Sequence, residues 1–419
     1  MASLRSADGD PAELYRGHLP LLGSPDVFGL TISGAYTRRL GLLAAAIVFT
    51  ALNLRTAVAS VPPLLDELRA DVPLSATAAG ALTTTPVVCM ALGAVVAPRV
   101  ARRLGTEVAV AGLCVTIAVG ILIRWIPGVF ALFAGTIVAG LGIALGNVLV
   151  PSLINRDFPH QVGLMTGGYT MAISASGAIA AALTIPFEDA IGHGWRPALA
   201  VWAIPVLVAA AVWVPWFLRG AQPARDAHLP SLWRDRLAWQ VTAFMGLQSL
   251  LFYSCLSWLP ALLRSEGIDR GAAGALLSVM LLTAIPTCLL VPVWANRARD
   301  QRGAIALSLA VYGGGLAGLL AAPAAAPALW ATLLGFAQGA LLALAFLLFG
   351  LRASDQAHAA QLSAMAQTVG YAVAAVGPLL IGVLREATGG WSAPLILLLA
   401  VLVPLFAAGM AAGRTREVG

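Results

Sequence analysis

The residue with the greatest chemical consequence is Arg55, in Asn53-Leu54-Arg55, within an otherwise apolar run at about 40–65. An arginine in the middle of a spanning helix costs about 2.5–3.5 kcal/mol on insertion scales. It cannot shed its proton to avoid that cost. No intramembrane carboxylate is placed to pair with it: all 19 acidic residues fall in tails, loops or helix ends, as Asp66, Glu67, Glu107, Glu188 and Glu386 do. The five histidines (His18, His160, His193, His228 and His358) also lie outside the helix middles. Arg55 must then be satisfied by carbonyls, amides, water or an anion. Two readings follow. It is a fixed positive site for a small anion, gripped by a planar five-donor fork, or a structural arginine bonded to Asn53, helix-end carbonyls or a facing glutamine.

Asn53 precedes Arg55 by two positions, so the two side chains are about 200° apart on an ideal helix. One can line a cavity while the other bonds a neighbouring helix. Gln248, Ser249, Phe252 and Tyr253 share an arc of a seventh apolar run, and Ser363, Gln367, Gly370, Tyr371 and Pro378 share a stripe of an eleventh. Amides and phenols facing inward suit a ligand that is hydrogen-bonded as well as neutralised; interhelical hydrogen bonding is the alternative. Asn147 sits one turn before Pro151, where it can answer the carbonyl that proline frees. The expected substrate-binding set is therefore Arg55, Asn53, Asn147, Gln248, Tyr253, Gln367 and Tyr371.

Chemistry on the substrate is not expected. There is no phosphate-cradling glycine loop with lysine, no metal-spaced histidine pair and no Ser/His/Asp set within reach. The reading is therefore a non-enzyme with no cofactor, no metal and no ATP. Cys89, Cys114, Cys255 and Cys288 lie in apolar stretches without paired spacing and read as small packing residues.

The elements that must position these residues follow from composition. Of 419 residues, 59% are hydrophobic and 11% charged, against about a quarter charged in a soluble domain. Such a chain is an all-α polytopic membrane protein. Twelve apolar runs are long enough to span, at about 40–65, 75–97, 107–125, 128–154, 163–187, 196–218, 238–263, 272–295, 303–322, 327–350, 360–385 and 392–412. The expected organisation is a disordered cytoplasmic tail at 1–38, six helices over 39–218, a cytoplasmic linker at 219–236, six more helices over 237–413 and a short cytoplasmic tail at 414–419.

All 25 basic residues are arginine. With both termini cytoplasmic, 18 fall in inner segments and six in outer loops (Arg69, Arg124, Arg196, Arg264, Arg270 and Arg385). That bias orients the chain in a cell inner (plasma) membrane with both termini inside. Net charge thus reports topology, and no nucleic-acid partner is implied.

The two halves repeat. Ala78–Leu82 recurs as Ala272–Leu276, Pro98 matches Pro292 and Arg103 matches Arg297, each 194 positions apart. Gly194-Trp195 and Gly390-Trp391 open the sixth and twelfth runs. Six helices between copies make parallel repeats, which place a substrate site near mid-membrane between the halves.

Several segments also carry a family resemblance. They are Asn53-Leu54-Arg55; Gly146-Asn147-Val148-Leu149-Val150-Pro151 with Arg156-Asp157-Phe158-Pro159; Met165-Thr166-Gly167; and Gly194-Trp195-Arg196. The second half adds Gly246-Leu247-Gln248-Ser249 with Phe252-Tyr253 and Trp258-Leu259-Pro260, then Met365-Ala366-Gln367 with Gly370-Tyr371 and Gly377-Pro378. In these the chain resembles the major facilitator superfamily and, within it, the cyanate/nitroimidazole (CynX/NimT) branch. The resemblance implies a secondary or facilitative transporter of a small solute by alternating access, a small anion of cyanate type, working as a monomer in the lipid bilayer. The superfamily's loop between helices two and three reads Gly-x-x-x-Asp-Arg-x-Gly before basic residues. Here Pro98 opens that register, Arg102 takes the acidic place, Arg103 follows it and Glu107 takes a basic one. A charge-swapped latch of Arg102, Arg103 and Glu107, paired at short range, is the expectation. Efflux of nitroimidazole-like or other amphipathic drugs is the second transport reading. A non-transporting membrane sensor, with an occluded polar core, is the reading from another class.

Overall fold

The computed structural model describes residues 40–158, 162–192, 194–217, 231–354, 356–415 and 418. The expected N-terminal tail, most of the linker and the histidines His18, His160, His193 and His228 lie outside the described residues. Of the described residues Leu40–Leu43 are helical, and those from Ala44 on belong to the compact unit considered below.

Among the described residues, twelve helices are long and apolar enough to cross a membrane. They are α1 (Leu40–Asp71), α2 (Ala76–Leu104), α3 (Thr106–Ile123), α4 (Val129–Asp157), α5 (Val162–Ile191), α6 (Trp195–Phe217), α7 (Arg236–Ser265), α8 (Arg270–Arg297), α9 (Arg302–Ala321), α10 (Pro327–Leu351), α11 (Gln356–Thr388) and α12 (Ser392–Ala412). Among the described residues no β-strand forms; with no water in a bilayer core, only helices satisfy their backbone within one segment. Large apolar side chains such as Phe130, Leu290 and Val403 point outward, as lipid contact requires. α7 is almost wholly enclosed and runs through the middle of the bundle.

The first six helices meet the last six along two seams, α2 against α11 and α5 against α8. The repeated Ala-Ala-Gly-Ala-Leu segment explains why the seams are equivalent. A Cβ on Gly80 of α2 would stand 2.7 Å from the Pro378 carbonyl of α11, and one on Gly274 of α8 would stand 2.9 Å from the Ala181 carbonyl of α5. Glycine at both places lets backbones touch, the packing mode that replaces hydrophobic burial between helices in lipid.

α1 departs from the continuous helix expected. It is helical through Ala51, turns over residues 52–55, resumes as Thr56–Ala59, tightens to a 3-10 turn at Pro62–Leu64 and ends at Asp71. The local cause is competition for backbone partners. The N–H groups of Asn53 and Leu54 reach back only three residues, to the Thr50 and Ala51 carbonyls. The Thr56 hydroxyl donates to the Asn53 carbonyl, and Pro62-Pro63 offer no N–H at all. The break falls at Arg55.

Candidate functional site

An open cavity of about 460 Å³ lies between the two halves, walled by α1, α4, α5, α7, α8, α10 and α11. Its polar wall is Arg55 from the α1 break, Asn147 and Ser152 from α4, Thr166, Tyr169, Thr170 and Ser174 from α5, Gln338 from α10, and Ser363, Gln367 and Tyr371 from α11. Phe252 and Leu256 of α7, Leu281 and Cys288 of α8 and Phe346 of α10 add apolar and thiol surface. Among the described residues, none that lines the cavity is a carboxylate or an imidazole.

Arg55 is half-buried. Its backbone N–H donates to the Ser176 hydroxyl of α5 at 3.3 Å, a bond that takes the place of one along its own helix. Its guanidinium carbon lies 4.9 Å from the Phe252 ring centre and 5.6 Å from the Tyr253 ring centre. Among the described residues no carboxylate, carbonyl or amide accepts a hydrogen bond from the guanidinium. Its partners are two aromatic rings and the cavity.

The expected site residues divide. Arg55, Asn147, Gln367 and Tyr371 line the cavity together; the Gln367 amide donates to Ser363 at 2.9 Å. Asn53, Gln248 and Tyr253 do not line it. Asn53 is buried on the other side of α1, where its amide nitrogen donates to the Phe49 carbonyl at 2.8 Å. The turn at 52–55 does not bring it round to join Arg55. Gln248 is fully buried behind the wall and bonds Gln338 at 2.8 Å. Tyr253 turns its hydroxyl to the Met90 sulfur of α2 at 3.2 Å and offers Arg55 only its ring, whose centre lies 5.6 Å from the guanidinium carbon. Gln338 and Tyr169 were missed. Gln338 sits in an unbroken apolar run where nothing but its own polarity marks it, and Tyr169 follows the Met165-Thr166-Gly167 motif by one helical turn.

The latch also differs from expectation. Glu107 pairs with Arg156 at the end of α4, which also holds Asp157 at 2.7 Å. Burial pulls the Arg156 pKa down, but Asp157 and Glu107 outweigh it and raise the pKa. Arg102 and Arg103 are exposed, and the ion pair seen for Glu107 among the described residues is the one with Arg156. The closing geometry favours Arg156 because α3 begins at Thr106, which turns Glu107 inward toward α4. Arg124, expected in an outer loop, is instead buried and donates to the Ala57 carbonyl at 2.8 Å, supporting the second limb of α1 beyond the break.

The cavity opens at one end only. Pro151 and Ser152, Thr166, Phe346 and Ser363 lie toward the α4–α5 and α10–α11 connections, the end where α12 also finishes. At the opposite end the halves are tied. Arg264 of α7 meets Asp66 at 3.1 Å and Glu67 at 3.0 Å; Arg270 of α8 meets Glu67 at 3.3 Å, Glu188 at 3.0 Å and Asp189 at 2.7 Å. Glu386 of α11 accepts from the Thr77 hydroxyl and N–H of α2 at 2.6 and 3.0 Å. The arrangement gives a solute access to Arg55 from one side and bars it from the other.

Residues 42–378 match the Major Facilitator Superfamily. The chain is 41% identical over 384 residues to the 2-nitroimidazole transporter of Escherichia coli (strain K12), covering 90% of this chain and 96% of that one. It is 31% identical over 351 residues to the cyanate transport protein CynX of the same organism, covering 82% and 90%. Among solved structures, a bacterial homologue of the human lysosomal transporter Spinster, inward-facing and occupied, superposes with a TM-score of 0.73 at 15% identity over 90% of this chain and 97% of that one. Sequence relatives and fold agree: this multi-pass membrane protein is a transporter, not an enzyme, and it belongs to the Major Facilitator Superfamily, in the CynX/NimT group.

Proposed function

We propose that the chain carries a small anion of cyanate type across a plasma membrane by alternating access, with Arg55 as the anion site. The observation that supports this most is the state of the Arg55 guanidinium: charged, half-buried, and without a carboxylate or hydrogen-bond acceptor among the described residues. Apart from two aromatic rings its surroundings within the protein leave it unanswered, and an anion entering the cavity supplies the partner. Asn147, Gln367 and Tyr371 surround it with neutral donors and acceptors. The names of the cyanate and 2-nitroimidazole relatives fit a solute that brings electron-rich oxygen to an arginine. An open route to Arg55 counts against the sensor reading, which requires an occluded core.

On this reading the open end faces the cytoplasm, as the arginine bias orients it. The conformation is inward-open, and the Arg264–Arg270 cluster is the closed outer gate. Among the described residues that line the cavity there is no carboxylate or imidazole, and on this reading the anion moves by facilitation or exchange.

Detergent-purified protein and its Arg55→Gln variant test this directly. Cyanate at about 100 times its Kd should stabilise the wild type by about 2.7 kcal/mol, read as a rise in Tm, and should leave the variant unmoved. Equal shifts in both proteins would make Arg55 structural and sink the proposal.

A further inference from the structure

Gln248 is wholly buried, yet its orientation is fully determined. Its Nε2 faces three acceptors: the Met245 carbonyl at 3.2 Å, the Met245 sulfur at 3.3 Å and the Ser249 hydroxyl at 2.8 Å. Turning the amide round would set oxygen against carbonyl oxygen. Its Oε1 must therefore face α10, where it accepts from Gln338 Nε2 at 2.8 Å. Gln338 in turn cannot rotate without placing oxygen on oxygen. Its own Oε1 is left buried and unpartnered on the side chain that lines the cavity. An amide that is ordinarily both donor and acceptor has become, on the cavity wall, an acceptor only.

From this we infer that Gln248 sets the specificity of the site by fixing Gln338 as an acceptor, and that the site selects an anion or oxygen-rich solute that also carries an N–H or O–H donor. The inference rests on the anion site at Arg55 and narrows its solute: cyanate, which carries no donor, is then a minimal ligand of that site, and the preferred solute is a larger one that brings the donor as well. A site built to accept a hydrogen bond rejects an analogue lacking the donor, because its own buried oxygen then stays unpaired. The cavity leaves room for such a solute: about 460 Å³ exceeds a triatomic anion many times over, since one water occupies about 30 Å³ of liquid. Phe252, Tyr169 and Tyr371 on the wall suit a flat ring between the two polar ends. A solute spanning Arg55 on α1 and Gln338 on α10 would also bridge the two halves.

Two probe pairs isolate the donor. 4-Hydroxybenzoate and 4-methoxybenzoate share a carboxylate; 2-nitroimidazole and its 1-methyl derivative share a nitro group and are compared at a pH where the parent keeps its N–H. Each is titrated by thermal shift on wild type, Gln248→Leu, Gln338→Leu and Arg55→Gln, with cyanate alongside. The wild type should prefer the donor member of at least one pair by about tenfold, the step that one hydrogen bond commands. Either leucine variant should bring that ratio near one while the methylated probe still binds in an Arg55-dependent manner. A purely steric preference would survive both leucine variants and overturn the inference. So would a wild type that treats the members of each pair alike, or one that binds cyanate through Arg55 but neither pair. Loss of Arg55 dependence for every ligand would instead overturn the anion site itself.

Discussion

The guanidinium carbon of Arg55, on α1, lies 4.9 Å from the centre of the Phe252 ring, on α7, so the charge is held by a residue from the other half of the chain. A desolvated contact of this kind is worth about 0.5–2 kcal/mol. Its main effect here is to fix the fork in one direction before any solute arrives. Phe252→Leu should therefore weaken anion binding by about threefold to tenfold through lost preorganisation, and Phe252→Tyr should leave it nearly unchanged. Titration of cyanate by thermal shift measures both; equal affinity in the leucine variant would show that the ring has no orienting role.

Arg270 is the hub of the closed end, touching Glu67, Glu188 and Asp189. The group is partly exposed, so each pair contributes about 1 kcal/mol or less, but one substitution removes three together. Arg270→Gln should shift the balance toward an opening at that end by about fivefold to tenfold. A single cysteine at Ala59, on the cavity wall, in a background without the four native cysteines, reports this. Its labelling by a membrane-impermeant reagent from the closed side should accelerate by that factor.

At the helix seams, Gly80→Ala should be more disruptive than its size implies. The added Cβ would stand 2.7 Å from a backbone carbonyl that cannot rotate away, and overpacking of this kind costs about 1–3 kcal/mol. Gly274→Ala, at the equivalent place on the other seam, should behave alike. Circular dichroism melts of both variants give the comparison, and an unchanged Tm in either would contradict the close approach described.

Asp269 caps α8, accepting from the Gly271 and Ala272 N–H groups at 2.8 and 3.2 Å. Those bonds to the Ala272 and Gly271 backbone hold its carboxyl below the ordinary value of 3.8. A carboxylate depressed in the folded state stabilises above its unfolded pKa, and that contribution fades as pH falls through the lower folded one. The wild type should lose Tm over that acid range more steeply than Asp269→Asn, which keeps the cap without titrating. Parallel slopes would exclude the cap as a source of the pH dependence.

Much of this was legible in the sequence, for stated reasons. Twelve spans follow from the length of apolar runs, and the repeated Ala-Ala-Gly-Ala-Leu segment pointed to two parallel halves with a site between them; that its glycines lie where the halves touch is visible only in the fold. Arg55 announced itself through cost. What the sequence could not convey was the direction in which side chains face. Gln248 and Gln338 are both lone amides in apolar helices; only their mutual hydrogen bond decides which stands behind the wall and which forms it. Asn53 shares a motif with Arg55 but not a face. Glu107 found Arg156, 49 positions away, rather than its sequence neighbours, since helix ends and not chain order decide which charges meet.

The break in α1 has one more consequence. By donating its backbone N–H to Ser176, Arg55 is fastened to α5 and must travel with the first six helices, while Phe252 travels with the last six. Any rocking of one half against the other draws the cation off its ring. The contact that aims the cation is thus tied to the relative position of the halves: it loosens as they part and is renewed when they return. A tryptophan at position 252 would convert that cycle into a fluorescence signal tied to turnover itself.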